Sequence, residues 1–531
     1  MSTNNSGTIA SKKSILKFTS ILSLGTFLSR ILGFVRDMIF AHMMGTAAMA
    51  DAFFVAFRIP NMLRDLVGEG AANSALVPVL AQYVEKKEHK KTNEFLNVVV
   101  FWAVIILSVL TLLGILFTPW IVKSMAPGFM ADKDKLETTI SLTRIMFPYL
   151  VFIGLTAYSM GVLYTHQSYI APAFSSCLLN IVMIVSTILA GKYVGHGAVY
   201  ILAAGVLIGG VAQLAYQWLP LRKLGYKWQK PTDLRHEGAR RMGRLLVPRL
   251  WGSALYQSSL FVDTFCASLA SIVGAGGIAA IYYSNRVIQF PLGVFGVALA
   301  SASLPTLSGY AAKNDMESLR STIVFSLRNI LFVLLPCSVV LMILAVPIIR
   351  VIFERGEFDP YSTAITSGAL SFYAVGLWAY GGMKITVCAF HALQDTKTPV
   401  KIAALGLVLN IFLNALLMFP FKVNGIALAS SLSAIVSFLS LLYLLHRKIG
   451  GLLDVIFDFL WRMAVPLLVL TVVVLRTNNI FIVDHVLFRL AVSLLLGMIS
   501  FLGISWIFRI EPAVLLWRWL EIKVFQKNNE R

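Results

Sequence analysis

Arginine side chains stand inside stretches of this sequence that are otherwise apolar enough to cross a membrane. Arg30 and Arg36 lie in the first such stretch, Arg64 lies in the second, and Arg286 stands in a later one. An arginine at the centre of a bilayer costs about 2.5 to 3.5 kcal/mol on insertion scales, and net protein stability is only roughly 5 to 15 kcal/mol. We therefore expect these side chains to face water, an acid or an anionic ligand rather than lipid.

The polar residues of the first stretch share one helical face. At about 100° per residue they fall within roughly 140° of one another, and the apolar residues between them lie outside that sector. The members of this face are Gly25, Thr26, Ser29, Arg30, Gly33, Arg36 and Asp37. Gly33 lies at its middle and leaves room for a ligand or another backbone to approach closely.

The charges of the second stretch permit two interpretations. Asp51, Arg58 and Asp65 are seven positions apart, so in an unbroken helix they would share a face and neutralise one another. Pro60 interrupts the helical hydrogen bonds and can redirect the residues after it. An internal ion pair and a functional role both remain open for Arg58.

Arg286 has no acidic residue within seven positions on either side, which favours a functional role over a structural one. With Arg30, Arg36 and Arg64 it predicts a cationic chamber inside the membrane. Guanidinium stays charged in a poorly hydrated site and binds phosphate through two parallel hydrogen bonds. The pattern therefore indicates an anionic ligand such as a phosphate or diphosphate, whereas a carrier of cationic drugs would need acids there.

Acidic side chains are few in the other apolar stretches. Asp263 is alone in its span, and Asn410 and Asn414 lie one helical turn apart. Together they would form a small cation or proton site. The alternative, of equal weight, is that the asparagines have a structural role and hydrogen-bond between helices.

The composition places the chain among polytopic helical membrane proteins. Of 531 residues, 58% are hydrophobic and 13% are charged, which excludes an ordinary soluble enzyme. The net charge of +20 fits the positive-inside rule, and no nucleic-acid-binding motif accompanies it. The four cysteines and eight histidines have no metal-binding spacing, so we expect no metal cofactor of that kind.

We predict an all-α protein with about 14 transmembrane helices. Their expected ranges are 14–40, 50–82, 95–122, 139–164, 171–191, 198–219, 245–270, 277–309, 325–353, 363–390, 399–420, 424–445, 456–475 and 486–508. With this topology, one side of the membrane carries 26 Lys and Arg residues and the other side carries eight. The asymmetry predicts that both termini are cytoplasmic.

Two halves of the chain echo one another at a spacing of 227 residues. The segment 77–83 resembles 304–310, and Ala171-Pro172 resembles Thr398-Pro399. An offset of six helices preserves orientation, so we predict two parallel six-helix repeats that form two lobes around the central cationic cavity. The predicted parts are an N-lobe (1–220), a basic cytoplasmic loop (221–244), a C-lobe (245–447) and two additional helices with a cytoplasmic tail (448–531).

At these residues the sequence resembles the MurJ/MviN lipid II flippase family of the multidrug/oligosaccharidyl-lipid/polysaccharide exporter superfamily. The matching motifs are SRILGFVRD (29–37), ADAFFVAFRIPNMLRDLVGEGAANSALVPVLAQY (50–83), YYSNRVIQFPLGVFGVAL (282–299) and DTKTPVKIA (395–403). The resemblance covers nearly the whole chain, and the second motif is long and specific.

The resemblance implies a transporter, not an enzyme, in the bacterial cytoplasmic membrane. It would move lipid II, the undecaprenyl-diphosphate-linked precursor of peptidoglycan, from the inner to the outer leaflet by alternating access. The family's essential arginines correspond to Arg30, Arg36, Arg64 and Arg286, and further important positions match Ser29, Asp37 and Asp51. The last two helices, 456–475 and 486–508, would hold the lipid tail in a groove among membrane lipids.

The resemblance also implies a site for a coupling ion. In members with a sodium site, the positions of Asp263, Asn410, Asn414, the carbonyl of Ile426 and Ser430 line it. An acid is expected where this chain has Asn414, and the lost negative charge weakens cation binding. The membrane potential is the alternative driving force.

Three other functions compete with this interpretation. Export of another polyprenyl-linked glycan shares the same electrostatics. A membrane enzyme acting on polyprenyl phosphates would need an acidic metal-binding cluster or a large extramembrane domain, and neither is visible in the sequence. A non-transporting scaffold of the cell-wall or division machinery predicts that loss of Arg286 is silent.

Overall fold

The computed structural model describes residues 4–64, 71–86, 88–193, 196–226, 228–231, 233–480, 485–518 and 521. Every regular element within these ranges is a helix. Two compact units are distinguished, residues Met1–Leu269 and Ala270–Arg531.

The helices of the first unit are α1 (Asn4–Met44), α2 (Ala48–Arg64), α3 (Ala71–Glu85), α4 (His89–Met125), α5 (Lys133–Met146), α6 (Tyr149–Thr165), α7 (Ile170–Ala190), α8 (His196–Lys223) and α9 (Glu237–Ser268). Those of the second unit are α10 (Ala270–Val273), α11 (Gly277–Pro291), α12 (Ala298–Ala312), α13 (Met316–Ile343), α14 (Ala345–Phe353), α15 (Pro360–Val375), α16 (Leu377–Ala392), α17 (Lys397–Phe421), α18 (Val423–Ile449), α19 (Leu453–Ile480) and α20 (Val486–Ile507). A π-helical turn joins α11 to α12.

The all-helical membrane class is confirmed, but the count of about 14 spans is not. Ten segments of the described chain are long and apolar enough to cross a membrane. The predicted span 363–390 is divided between α15 and α16, and residues 65–70 of the predicted span 50–82 lie outside the described residues. The predicted spans 14–40 and 245–270 fall in the long helices α1 and α9, and parts of both spans lie outside the residues whose side chains are described.

The internal repeat is visible in the helix boundaries. Five helices of the second unit begin 227 residues after a helix of the first: α12 after α3, α13 after α4, α15 after α5, α17 after α7, and α18 after α8. Gln167 and Gln394, at the same spacing, both have a φ of 57° immediately before the helices that begin at Ile170 and Lys397. A left-handed conformation is uncommon for a residue other than glycine, so its recurrence at one offset supports a duplicated fold.

The packing within each unit repeats as well. Helix α7 lies against α8 and α6 against α8, and their counterparts α17 and α16 both lie against α18. Helix α9 packs on α3 and α4 in the first unit, and α19 packs on α20 and α13 in the second. The predicted lobe boundaries, and the cavity between the lobes, stay predictions.

The turn between α16 and α17 is held by Asp395. Its carboxylate accepts hydrogen bonds from the backbone N–H of Thr398 at 3.0 Å and from the Lys448 ammonium at 3.0 Å. The hydrogen bond from the Thr398 backbone, followed by that from Lys448, lowers the pKa of Asp395 from 3.8 to about 2. The folded protein therefore favours the ionised carboxylate.

We expect Asp395→Asn to be less stable than the wild type at pH 7, with the difference shrinking as the pH falls from about 4 to 2. A lowered folded-state pKa stabilises above the unfolded pKa, and this contribution disappears as the folded carboxylate becomes protonated. Thermal unfolding of both purified proteins across this pH range measures the effect. A difference that does not depend on pH would contradict the assignment.

Candidate functional site

Helix α1 presents its predicted polar face partly to α7. Gly25 and Gly33 are buried, and Ser29 is half-buried. A Cβ atom added at Gly25 would lie 2.5 Å from the carbonyl oxygen of Ala173 in α7. The two helices therefore approach closely because residue 25 has no side chain.

A hydrogen-bonded cluster forms where the two helices meet. The Arg36 guanidinium donates to Asp37 at 2.8 Å and to the side-chain oxygen of Asn180 at 3.2 Å. The Asn180 amide donates in turn to the backbone oxygen of Ser29 at 3.0 Å. The side chain of Asp37 is 3% exposed and that of Arg36 is 12% exposed, so this arginine is neutralised and oriented within the first unit.

Arg30 has a different environment on the same helix. Its side chain is exposed, and no hydrogen bond or ion pair engages it among the described residues. The predicted polar face thus contains two kinds of arginine, one bound to Asp37 and Asn180 and one available to a ligand or to water.

Replacing Gly25 with alanine should destabilise the protein by about 1 to 3 kcal/mol, because the new methyl group overlaps the α7 backbone. Helix α1 would have to move and lengthen the bonds from Asn180 to Ser29 and Arg36. Thermal unfolding of the purified protein tests this. Gly503→Ala in α20 is the matched control: no atom lies within 4 Å of its new Cβ, so we expect a neutral or slightly stabilising effect. Equal stability of the two variants would refute the close approach.

Asp51 forms a buried ion pair that the sequence did not predict. Its carboxylate accepts from the Lys135 ammonium at 2.8 Å, and the two side chains are 4% and 10% exposed. The Lys135 ammonium also lies 4.2 Å from the centroid of the Phe129 ring. This pair joins α2 to α5, so Asp51 has a defined structural role, and its predicted role at the substrate stays a prediction.

Arg58 donates a hydrogen bond to the Thr264 hydroxyl of α9. Of the two acids at helical spacing from it, Asp65 lies outside the described residues and Asp51 binds Lys135. Arg64 ends α2 and is half-buried. The first unit thus carries three of the four predicted cargo arginines, on α1 and α2.

Arg286 lies in α11 of the second unit and is half-buried. Its neighbours Tyr283 and Val287 belong to the buried face of the helix. Tyr283 packs on Phe353 and Phe358, with ring centroids 5.1 and 5.5 Å away. This aromatic packing fixes the rotation of α11 and hence the direction of Arg286. The convergence of all four arginines in one chamber stays a prediction.

The structure joins three of the five predicted sodium ligands by hydrogen bonds. The Asn410 amide donates to the Ser430 hydroxyl at 3.2 Å, and the Asn414 amide donates to the Asn410 oxygen at 3.2 Å. Ile426 is fully buried one turn before Ser430 on α18. These neutral oxygens suit a hard cation chemically, and they also join α17 to α18. Asp263, the charged member, lies buried on α9 in the first unit.

Two partners in these networks escaped the sequence analysis. Asn180 is a polar residue within an apolar span, the same signal that singled out Asn410, so it was open to detection. Lys135 stands in the charged segment KDKLET, where nothing distinguishes it from its neighbours.

Comparison with solved structures identifies the fold. A structure described as "Lipid II flippase MurJ, inward closed conformation" matches with a TM-score of 0.78 at 28% identity, and the match covers 92% of this chain and 98% of the other. An inward-facing multidrug resistance MATE family transporter of the MOP superfamily matches with a TM-score of 0.69 at 15% identity, covering 80% and 95%. The second likeness concerns the fold alone.

Sequence comparison is more specific. The family model described as "Lipid II flippase MurJ" matches residues 40–496. The probable lipid II flippase MurJ of Buchnera aphidicola subsp. Schizaphis graminum is 33% identical over 457 residues, 85% of this chain and 88% of the relative. Those of Haemophilus influenzae and Burkholderia cenocepacia are 35% and 34% identical, over 80% and 82% of this chain and 84% of each relative.

Proposed function

The chain belongs to the lipid II flippase MurJ family, and from this premise we propose that it carries lipid II from the inner to the outer leaflet of the bacterial cytoplasmic membrane. The cargo is amphiphilic, with a diphosphate between a polyprenyl tail and a glycopeptide head. A transporter of such a molecule needs a cationic site for the diphosphate and an apolar surface for the tail.

The observation that carries this proposal is the environment of Arg30. The guanidinium is exposed on a helix of the membrane region and is bound by no side chain among the described residues, whereas Arg36 is neutralised one and a half turns away. An uncompensated cation within a membrane-spanning helix is costly. A diphosphate that accepts two parallel hydrogen bonds from it offsets that cost and gains a strong charge-assisted contact.

The mechanism we propose is alternating access without covalent chemistry. Arg30, Arg36 and Arg64 of the first unit and Arg286 of the second bind the diphosphate together. The bound anion neutralises positive charge that closure brings together, and it therefore favours the closed state. The cargo can shift the equilibrium between the open and closed states only by as much as its affinities for the two states differ.

The lipid tail is proposed to stay in contact with α19 and α20. These helices pack against one another and present large apolar side chains outward, among them Phe457, Trp461 and Leu468 at 71%, 74% and 63% exposure. The basic segment 221–244 supports a cytoplasmic placement of that loop and of both termini. The membrane potential, or sodium at Asn410, Asn414, Ile426, Ser430 and Asp263, is proposed to drive return of the carrier, and the cell-wall machinery to receive the product.

The test is lipid II exposure on the outer leaflet of cells that depend on this protein. We expect exposure to fall on depletion and to recover when the wild-type chain is restored, with lipid II accumulating in the inner leaflet meanwhile. A parallel binding competition uses purified protein with lipid II and with another undecaprenyl-diphosphate-linked glycan. Unchanged exposure on depletion, in cells without a second flippase, would reject lipid II as the cargo. Equal affinity for both headgroups would favour a broader glycan exporter.

A further inference from the structure

A cavity of about 710 Å³ lies within the first unit, separate from the arginines of α1 and α2. Its walls come from α3, α4, α6 and the first turns of α9, and its buried lining includes Leu76 and Leu107. Its rim carries Arg235, His236 and Arg240. The cavity is thus apolar at one end and basic at the other, and its volume lies in the usual range for ligand sites.

Two tryptophans on α4 indicate the depth of this cavity in the membrane. Trp102 and Trp120 are 42% and 74% exposed. Their separation of 18 residues spans about 27 Å along a helix, close to the thickness of the hydrocarbon layer of about 30 Å. The exposed residues between them are apolar, including Val109, Leu112 and Leu116. Because tryptophan concentrates at both membrane interfaces, Trp102 marks one interface, and Trp102 is itself part of the cavity wall.

The apolar and basic ends of the cavity therefore match the two layers of a lipid leaflet. Ile106 and Leu107 lie about one turn deeper than Trp102, at the level of acyl chains. Arg235 and Arg240 lie on the headgroup side, both exposed, and no ion pair or hydrogen bond of either guanidinium is found among the described residues. The neighbouring Arg241 donates to Gln82 at 2.9 Å, and Asp233 accepts from the backbone N–H of Arg235.

The roof of the cavity is anchored to its walls. The Trp102 indole N–H donates to the backbone oxygen of Leu234 at 3.4 Å. His236 caps α9 by accepting from the Gly238 N–H at 3.1 Å, and its ring lies against Tyr83 and Phe95 at 5.7 and 5.6 Å. These contacts hold the basic rim over the apolar chamber. Because the rim is already ordered, less conformational entropy is lost when a ligand binds.

We propose that this cavity binds an anionic phospholipid from the leaflet on the side of the basic loop 221–244. One acyl chain enters the chamber between α4 and α9, and the phosphate binds Arg235 and Arg240. Guanidinium groups bind phosphate through paired hydrogen bonds, and each basic side chain near the surface adds to the attraction of an anionic lipid. The bound phospholipid is a resident of the protein, distinct from the transported cargo.

The experiment uses the full chain in phosphatidylcholine nanodiscs with a phosphatidylglycerol probe that carries a diazirine in one acyl chain. After photolysis, mass spectrometry locates the adducts. We expect labelling of residues 102–107 in α4 and 239–246 in α9, and much weaker labelling by a phosphatidylcholine probe with the same acyl chain. Equal labelling of these residues by both probes would overturn the proposed selectivity. Excess inorganic diphosphate should not displace the probe, and displacement would assign the basic rim to free phosphates instead.

Gly243 offers a matched pair of variants. It lines the cavity, and a Cβ atom added there has no atom within 4 Å. Gly243→Phe should fill the chamber and reduce labelling by about tenfold or more, whereas Gly243→Ala should label as the wild type does. The double variant Arg235→Gln, Arg240→Gln changes only exposed side chains, and we expect it to lose the preference for phosphatidylglycerol by about tenfold. Wild-type labelling in Gly243→Phe, or an unchanged preference in the arginine variant, would refute the proposal.

Discussion

Replacing Asp51 with asparagine should lower the free energy of unfolding by about 3 to 5 kcal/mol. The substitution leaves the Lys135 ammonium buried, with 10% of its side chain exposed, and without the carboxylate that accepts its hydrogen bond at 2.8 Å. Removal of one partner from a buried pair costs far more than the pair contributes, because the remaining charge loses solvation that nothing replaces. The contact with Phe129 is too weak to compensate.

The double variant Asp51→Asn, Lys135→Met tests whether the lost stability comes from the unpaired Lys135 charge or from the changed side chain at residue 51. With both charges removed the buried site becomes neutral, so we expect most of the lost stability to return. The control is Asp458→Asn on α19, whose partner is Arg462 and whose ion pair is more than half exposed; we expect a change below about 1 kcal/mol. Denaturant unfolding of the purified proteins measures all three. A single Asp51→Asn variant as stable as the wild type would contradict the buried pair.

The same variants separate structure from transport at Asp51. If this residue acts through the α2 to α5 ion pair, lipid II transport per folded molecule should be retained in the double variant. A double variant that is stable but inactive would instead support direct contact between Asp51 and the cargo, the role that family resemblance implies.

The sequence predicted those features of this protein that follow from a residue and its near neighbours along the chain. Apolar composition gave the helical membrane class, and the echo around Pro172 and Pro399 predicted the repeat that the helix boundaries confirm. The arginines were found because charge is rare and expensive in an apolar helix. Such signals need only the residue and its near neighbours.

Pairings between distant helices were beyond the sequence. Asp51 and Lys135 are 84 positions apart, and Arg36 and Asn180 are 144 apart. Arg58 donates a hydrogen bond to Thr264 in α9, 206 positions away in the sequence. Tertiary packing decides among several partners of similar chemistry, and one sequence does not contain that choice. The split of the predicted span 363–390 likewise depends on a local break, at Gly376 between α15 and α16.

Replacing Arg30 with alanine should reduce transport of lipid II by about tenfold or more while leaving the protein at least as stable as the wild type. One charge-assisted hydrogen bond to a phosphate contributes about 1.5 to 3 kcal/mol, which corresponds to roughly 10- to 150-fold in affinity. The exposed guanidinium makes no described contact that folding would lose. Its removal instead takes an uncompensated charge out of an apolar helix.

Arg36→Ala should behave in the opposite way with respect to folding. It deprives Asp37 and Asn180 of their shared partner, so reduced stability should accompany any loss of transport. Arg30→Lys keeps the charge without the planar fork, and we expect intermediate transport. Arg355→Ala controls for loss of a positive charge, because among the described residues this exposed guanidinium donates only to the backbone oxygen of Val351 near the end of α14.

The decisive measurement is outer-leaflet lipid II exposure at matched membrane abundance, together with thermal unfolding of each variant. Low transport with undiminished stability in Arg30→Ala would identify its side chain as a cargo contact, since a structural arginine loses both together. Wild-type transport in Arg30→Ala would remove the observation on which the proposed function rests. Arg286 would then become the stronger candidate for the diphosphate, because it is the cation with no acid nearby in its own stretch of sequence.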